Sequence, residues 1–235
     1  MERFLVSIGT RKISGVLHRC TGEAPVIICC HGLFSTMNSD KFLKIAETFA
    51  PEGFAVVRFD FGGCGESTGD IADTTVTSRL EDLEAVVQYL SGEGGLTGRY
   101  GILGSSFGGY VGLLHAAKNP VAALSVWATP CDMLSIAGNI PKADMQKLKR
   151  DFFIDARRYD LLGAVAGMPS VQVLHGASDE IVPAEQARLI YQALHDPRDF
   201  LLLPQADHSI SQPSPRKQAI TASLAWFKKQ LLPGC

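Results

Sequence analysis

Short, continuous apolar runs recur along this chain, and stretches with helical periodicity separate them. Residues 26–30 form such a run, and residues 39–49 follow with their apolar side chains on one helical face. Strands that are apolar at every position are typical of sheets covered on both faces, and strands that alternate with helices favour parallel pairing. The pattern therefore predicts an α/β fold, with a mostly parallel twisted sheet and helices on both faces.

The predicted strands and helices cover most of the 235 residues. The strands are expected at residues 3–8, 12–18, 26–30, 54–61, 99–104, 121–128, 170–176 and 199–203. The helices are expected at residues 39–49, 74–90, 107–118 and 183–194, with a last helix starting at Ser214. A chain of this length is enough for one sizeable α/β domain, so residues 1–235 are interpreted as a single domain.

The alternation breaks between about residues 131 and 167, a stretch longer than an ordinary connection between a strand and a helix. We interpret it as a small helical insertion above the C-terminal edge of the sheet. The alternative is a plain crossover helix with a long loop. Its apolar residues would line a substrate pocket or belong to the core: Met133, Leu134, Ile136, Phe152 and Phe153.

Composition and charge exclude several classes of protein. The formal net charge is −2, and no basic patch suggests binding to nucleic acid or to an anionic membrane. The first residues lack the apolar core of a secretory signal, and no apolar stretch is long enough to span a bilayer. We expect a cytoplasmic protein with no metal and no cofactor. The cysteines, which lack metal-site spacing, are expected to be reduced: Cys20, Cys29, Cys30, Cys64, Cys131 and Cys235.

One pentapeptide, Gly104-Ser105-Ser106-Phe107-Gly108, carries the clearest chemical pattern. A serine hydroxyl is a weak nucleophile that must be exposed beside a base, and a tight turn from a strand into a helix presents it in that way. Gly104 and Gly108 allow the backbone to approach its neighbours without a Cβ clash. Ser106 is therefore the candidate nucleophile, whereas Ser105 holds the variable position and is expected to point elsewhere.

A second motif, His31-Gly32-Leu33-Phe34, follows the first buried strand. Acyl transfer develops negative charge on the carbonyl oxygen, and preorganised backbone N–H groups stabilise that charge. One donor is expected from the residue after the nucleophile, Phe107, and the other from the loop after this early strand. Leu33 is the expected second donor, and Phe34 is the alternative.

His208 is the candidate base among six histidines. It follows the last predicted strand, in a loop at the edge of the sheet where open α/β sheets bind ligands. Asp179 follows the preceding strand and is expected to hydrogen-bond the imidazole. Glu180 and Asp207 are rivals, but Asp207 is adjacent to His208 in sequence, so its side chain should diverge from the ring. His175 is interpreted as a packing residue.

With these residues the chain resembles the α/β-hydrolase superfamily, and within it the small cinnamoyl/feruloyl esterase-like and serine-aminopeptidase-like hydrolases. The resemblance covers nearly the whole chain and rests on the motifs above, on residues 59–67 and on the order Ser106, Asp179, His208. It implies an α/β-hydrolase fold, a triad of these three residues, an oxyanion hole from the Leu33 and Phe107 amides, and a small cap after the sixth strand. Cys64 departs from the histidine common in relatives, and we interpret it as a small buried residue.

The expected activity is hydrolysis of a carboxylic ester of a small-molecule acyl substrate through an acyl-enzyme. The same triad would also serve amide, peptide or thioester hydrolysis, or acyl transfer to an acceptor other than water, because specificity resides in the pocket. A non-catalytic binding protein of the same fold is disfavoured, since such proteins usually lose a triad residue. A homo-oligomer is compatible with the sequence.

Overall fold

The computed structural model describes residues 1–232, so Cys235 lies outside the described residues. The strands are β1 (Glu2–Ile8), β2 (Arg11–His18), β3 (Ala24–Cys30), β4 (Ala55–Phe59), β5 (Leu96–Ser105), β6 (Ala123–Trp127), β7 (Val171–Gly176) and β8 (Arg198–Leu203). The helices are α1 (Asp40–Phe49), α2 (Val76–Ser91), α3 (Phe107–Ala116), α4 (Lys142–Met145), α5 (Arg150–Ala156), α6 (Leu161–Ala164), α7 (Ala184–Ala193) and α8 (Pro213–Leu231). Short 3₁₀ helices span Ala50–Glu52 and Ile71–Asp73.

All eight strands within residues 1–232 belong to one sheet, in the order β1-β2-β4-β3-β5-β6-β7-β8. The β1–β2 and β2–β4 pairs are antiparallel, and every other pair is parallel. The carboxyl ends of β3, β5, β7 and β8 therefore lie along one edge of the sheet. The predicted mostly parallel α/β sheet is confirmed.

Two apolar clusters cover the two faces of the sheet, which explains why its central strands are apolar at every position. Helices α1 and α8 cover one face, where Phe42, Phe49 and Phe227 are fully buried. Helices α2, α3 and α7 cover the other face, with Leu83 and Val111 among the buried residues. Burying apolar area on both faces supplies most of the favourable free energy of such a fold, at roughly 25 cal/mol per Å².

The strand boundaries differ from the predictions where backbone geometry outweighs the apolar pattern. Strand β6 ends at Trp127 because Ala128 adopts a positive φ of 49°, which a strand does not accommodate. Strand β5 begins at Leu96, three residues before its predicted start, in a stretch that is partly exposed and so lacks an apolar pattern. Strand β4 ends at Phe59, before a glycine-rich loop.

The connection from β6 to β7, residues 128–170, is called here the β6–β7 segment. It contains the short helices α4, α5 and α6 and packs mainly through apolar side chains, such as Phe152 against Phe107 with ring centroids 5.7 Å apart. Asp155 anchors it to α2, because its carboxylate accepts hydrogen bonds from the Thr77 backbone N–H at 2.8 Å and hydroxyl at 2.7 Å. No helix within residues 1–232 has the length and apolar character needed to cross a membrane.

Candidate active site

Ser106 stands at the turn between β5 and α3, in a conformation that L-residues rarely adopt. Its φ is 54° and its ψ is −122°, and its backbone N–H donates to the Trp127 carbonyl at 2.7 Å. Such a residue costs of order 1–3 kcal/mol and persists only where its surroundings enforce it. The strained turn leaves the Ser106 side chain at the cavity beside the sheet edge.

The glycines around Ser106 permit contacts that no side chain would allow. A Cβ at Gly108 would lie 2.1 Å from the Cys30 carbonyl oxygen, and one at Gly104 would lie 2.5 Å from the Gly109 Cα. A Cβ at Gly32 would approach the Ser106 Cβ to 3.4 Å. These close contacts place the start of α3 next to the end of β3, so the His31-Gly32-Leu33 loop lies beside Ser106.

A continuous chain of hydrogen bonds joins the three residues that sequence reasoning selected. The His208 Nε2 lies 3.0 Å from the Ser106 Oγ, and the His208 Nδ1 lies 2.9 Å from Asp179 Oδ2 and 3.0 Å from Oδ1. The Asp179 side chain is 0% exposed and that of His208 is 18% exposed. An imidazole held between a buried carboxylate and a hydroxyl can accept the hydroxyl proton and have its positive charge stabilised.

The Asp179 carboxylate is held from several directions. Its Oδ1 accepts hydrogen bonds from the Ile181 N–H at 2.9 Å and the Val182 N–H at 2.8 Å. Burial opposes ionisation, but hydrogen bonds from His175 and His208 outweigh it and hold the pKa of Asp179 well below its usual range. Asp179 is therefore ionised throughout the neutral pH range.

His175 does more than pack, which corrects the sequence interpretation. Its ring is 0% exposed, and its Nε2 lies 3.2 Å from Asp179 Oδ2 and 2.8 Å from the Val182 carbonyl oxygen. A shared Nε2–H therefore ties the carboxylate to the end of the turn that carries it. The sequence indicated only that His175 ends a buried strand, because nothing local shows which way its side chain faces.

Neither rival acid touches the His208 ring. The Asp207 carboxylate diverges and accepts hydrogen bonds from the backbone N–H and the hydroxyl of Ser211. Glu180 Oε2 accepts from the His208 backbone N–H at 3.3 Å and does not bind the imidazole. Among these carboxylates, the sheet brings Asp179 to His208.

His31 supports the loop that carries Leu33. Its Nδ1–H donates to the Gly32 carbonyl at 2.7 Å, and its Nε2 accepts from the Phe61 N–H at 3.1 Å. Burial, together with the charge of Arg79, lowers the pKa of His31 to about 3, so the ring is neutral at physiological pH. A neutral ring is required, because the Phe61 N–H needs an acceptor.

Two backbone N–H groups beside Ser106 are available to bind a ligand. Phe107 is the first residue of α3, so no carbonyl of the preceding turn accepts its N–H. Leu33 occupies a tight turn closed by the Ser35 N–H and the Gly32 carbonyl, a hydrogen bond that does not use the Leu33 N–H. Phe34, the alternative donor, has a side chain that is partly exposed and contacts Lys147 through its ring.

A cavity of about 470 Å³ opens beside Ser106 and His208. One wall, called here the apolar wall, comes from the β6–β7 segment and the turn after β7: Met133, Ile136, Ile140, Pro141 and Ile181. The opposite wall, called the polar wall, comes from the start of α1, the end of β5 and the region from His208 into α8: Ser39, Asp40, Lys41, Ser105, Ser209 and Arg216. Leu134, Phe152 and Phe153 are not part of the cavity lining.

Cys64 is buried, as expected, and lies behind the loop that carries Leu33. Its Sγ is 3.9 Å from the Leu33 carbonyl oxygen and 3.3 Å from Arg79 Nη2. Arg79 is fully buried and also donates to the Thr74 hydroxyl at 3.1 Å. Within residues 1–232 no three His, Cys, Asp or Glu side chains cluster as metal ligands would.

Comparison with known proteins shows which family the chain belongs to. The family model for the alpha/beta hydrolase fold matches residues 25–161. The chain belongs to the alpha/beta hydrolase family. That match begins in β3 and extends through the Ser106 turn into α6, so it covers most of the β6–β7 segment as well.

Curated relatives and solved structures extend the similarity beyond that match. The chain is 28% identical over 220 residues to the mitochondrial palmitoyl-protein thioesterase ABHD10 of Mus musculus, covering 83% of this chain and 72% of the relative. It superimposes on Est1E from Butyrivibrio proteoclasticus, solved with bound ferulic acid, with a TM-score of 0.87 at 22% identity over 97% and 98% of the two chains. The structure of mouse ABHD10 gives a TM-score of 0.81 at 24% identity, over 97% and 99% of the chains. These alpha/beta hydrolases share the fold of this chain.

Proposed function

We propose that the protein is a serine hydrolase that cleaves carboxylic esters through an acyl-enzyme intermediate. Ser106 is the nucleophile, His208 the general base and acid, and Asp179 the carboxylate that orients His208. The observation that carries the proposal is the hydrogen-bond chain from Asp179 through His208 to Ser106 Oγ, with separations of 2.9 Å and 3.0 Å. Membership of a hydrolase family supports it.

The reaction follows from this arrangement. Ser106 Oγ attacks the ester carbonyl while its proton passes to His208 Nε2, and the carbonyl oxygen takes negative charge that the Leu33 and Phe107 N–H groups stabilise. The bond to the leaving alcohol then breaks, and His208 returns the proton to the alcohol oxygen. A water molecule, deprotonated by His208, attacks the acyl-enzyme and releases the acid and the free serine.

Thioester hydrolysis is the second candidate, since the same steps apply with a thiol as the leaving group. It is favoured by the mouse relative, which is named a palmitoyl-protein thioesterase. The apolar wall supports an acyl chain as the group bound there, because each methylene removed from water contributes about 0.8 kcal/mol. We further propose that the β6–β7 segment acts as a cap over this acyl site. A cytoplasmic location stays a prediction, whereas the curated relative is named as mitochondrial.

A fluorophosphonate probe tests the nucleophile directly. We expect covalent labelling of the wild type, no labelling of Ser106→Ala, and retained labelling of Ser105→Ala, which removes the neighbouring hydroxyl. Loss of Ser106 should lower ester turnover by about 10⁴-fold or more, since nucleophile and base act as a unit. An unlabelled wild type, or a labelled Ser106→Ala protein, would contradict the assignment.

A substrate panel separates the candidate bonds. Acyl esters, acyl-CoA thioesters and aminoacyl amides of matched acyl groups would be compared by kcat/KM on the same preparation. Turnover of the ester or the thioester supports the proposal and identifies the leaving group. Strong amide turnover without ester or thioester turnover would refute it.

A further inference from the structure

The polar wall of the cavity contains two cationic side chains that the proposed reaction does not use. Lys41 lies in the first turn of α1, and its Nζ donates to the Ser105 hydroxyl at 2.9 Å. Arg216 lies in the first turn of α8, where it donates to the backbone carbonyls of Ile210 and Ser211 at 3.0 Å. Both line the same cavity as Ser106.

Lys41 has no anionic partner in the described part of the chain. No carboxylate lies within ion-pair distance of its Nζ, and its hydrogen bond to Ser105 uses one of three ammonium donors. Asp207 lies nearby, but its carboxylate oxygens bind the backbone N–H and the hydroxyl of Ser211. Burial and the Arg216 charge lower the pKa of Lys41 to about 8, and the Asp207 charge only partly offsets them. An ammonium so placed is stabilised by a bound anion.

Ser39 is a second, independent observation on the same wall. It precedes α1 as the N-cap residue, yet its hydroxyl makes no cap hydrogen bond. That oxygen is buried and has no hydrogen-bond partner within residues 1–232. Ser39 lines the cavity as a residue, and because its hydroxyl makes no cap hydrogen bond, the start of α1 has no side-chain cap. The positive end of the α1 dipole adds to the attraction for an anion.

The position of the polar wall decides which part of a substrate it meets. Its α1 and α8 residues belong to elements that cover one face of the sheet, whereas Met133 and Ile136 pack with the cluster on the other face. Ser209 is next to His208 in sequence, and Arg216 follows at the start of α8; all three residues line the cavity. His208 must face the leaving atom to protonate it, so the leaving group extends towards the polar wall and the acyl chain towards the apolar wall.

We propose that Lys41 and Arg216, beside the start of α1, form a subsite for a carboxylate on the alcohol or thiol part of the substrate. The proposal rests on the ester or thioester hydrolase function above and narrows its substrate class to acyl compounds with an anionic leaving group. A carboxylate fits the wall because Lys41 supplies ammonium donors and Arg216 a guanidinium charge. Asp40, Asp144 and Glu180 also line the cavity, so the positive charge is confined to the part of the wall around Lys41 and Arg216.

A pair of substrates that differ only in charge tests the subsite. The first is 4-butyryloxyphenylacetate, and the second is its neutral amide, 4-butyryloxyphenylacetamide, with the same acyl group and a phenol of similar basicity. We expect the wild type to prefer the carboxylate by about tenfold or more in kcat/KM, the size of one charge-assisted hydrogen bond. Lys41→Met should reduce that ratio to near one, mainly through KM. The ratio is taken within each protein, so any general loss of activity cancels.

Lys44→Met is the matched control, because Lys44 lies on the same helix, is 63% exposed and pairs with Glu47 outside the cavity. It removes the same charge and should keep the wild-type ratio, and all variants would be compared for Tm to verify folding. 4-Nitrophenyl hemisuccinate against 4-nitrophenyl butyrate places the carboxylate on the acyl side instead, and no Lys41-dependent preference is expected there.

Each result distinguishes a failure of the proposed subsite from a failure of the proposed hydrolase function. A wild-type ratio near one with both esters hydrolysed would overturn the subsite and leave the hydrolase intact. So would a ratio that Lys41→Met does not change, or a Lys41-dependent preference confined to the hemisuccinate. Absence of turnover with every ester, together with no fluorophosphonate labelling, would instead refute the proposed function itself.

Discussion

The sheet edge around Ser106 and the β6–β7 segment form opposite sides of one cavity, yet they are built in different ways. At the edge, Ser106, Asp179 and His208 follow β5, β7 and β8 and are held by hydrogen bonds at defined distances. The β6–β7 segment has no strand and three short helices, and apart from Asp144 it lines the cavity with apolar side chains. Directional bonds hold atoms to fractions of an ångström, whereas apolar packing tolerates changes of shape.

This difference indicates a division of labour. Under the proposed function, the edge holds the reacting groups in place, and one misplaced group there lowers the reaction rate strongly. Under the same proposal, selection among acyl groups falls to the segment, where a change in side-chain size changes binding gradually. Substitutions at the edge should therefore abolish turnover for every substrate, and substitutions in the segment should change the order of preference among substrates.

The largest effect is expected from Asp179, and Asp207, which precedes His208 in sequence, is its matched control. Asp179→Asn should lower kcat by roughly 10³- to 10⁴-fold, because an amide at this position favours the wrong tautomer of the imidazole. Asp207→Asn, which removes an equal charge from a carboxylate that does not contact the ring, should lower kcat by less than about tenfold. Steady-state kinetics with a neutral ester measures both, and equal losses would break the assignment of the acid.

A smaller, substrate-dependent effect is expected from the β6–β7 segment. Ile136→Ala removes apolar surface from the acyl site and should lower the ratio of kcat/KM for octanoyl over acetyl esters by roughly tenfold, because each methylene that stays in water forgoes about 0.8 kcal/mol. Leu134→Ala removes a side chain of similar size from the same segment, outside the cavity lining, and should keep the wild-type ratio. An equal change of the ratio in both variants would contradict the two-wall description.

The smallest effect concerns stability, and it tests His31, which supports the loop at the edge of the sheet. The pKa of His31 is lowered to about 3 in the folded protein against 6.5 unfolded, so below pH 6.5 the unfolded chain binds a proton that the folded chain does not. The contribution of His31 to the unfolding free energy is therefore fully present above about pH 6.5 and decreases as the pH falls below that value. Between pH 7.5 and 5.0 the His31 contribution amounts to about 2 kcal/mol of unfolding free energy.

Urea unfolding at the two pH values checks this sign. His31→Gln should lose less stability than the wild type on acidification, by that amount, although its stability at pH 7.5 is lower because its hydrogen bonds differ. His195→Gln, at an exposed position, should retain the wild-type dependence. His18 and His115 also have lowered pKa values and act in the same direction in all three proteins, so they cancel in the comparison. If the unfolding free energy of His31→Gln decreased on acidification as much as that of the wild type, the assignment to His31 would be refuted.

Much of the fold and part of the site were predictable from the chain alone, because their causes are local. Apolar runs such as residues 26–30 indicate strands buried on both faces, and the glycines at 104 and 108 indicate a tight turn around Ser106. The sequence also places Ser106, Asp179 and His208 after three different predicted strands. Local propensity and the covalent sequence contain this information without any knowledge of packing.

Other features depended on contacts between residues far apart in sequence. The sheet order brings β7 beside β8, so Asp179 rather than Glu180 or Asp207 meets the His208 ring, and His175 reaches Asp179. Lys41 meets Ser105, 64 positions later, because the fold brings the start of α1 to the end of β5. No local pattern encodes such a contact, since it depends on how the separate elements pack. The chain by itself indicated the candidate nucleophile and its turn, and the tertiary structure decided which side chains contact it and which charges line the cavity that faces it.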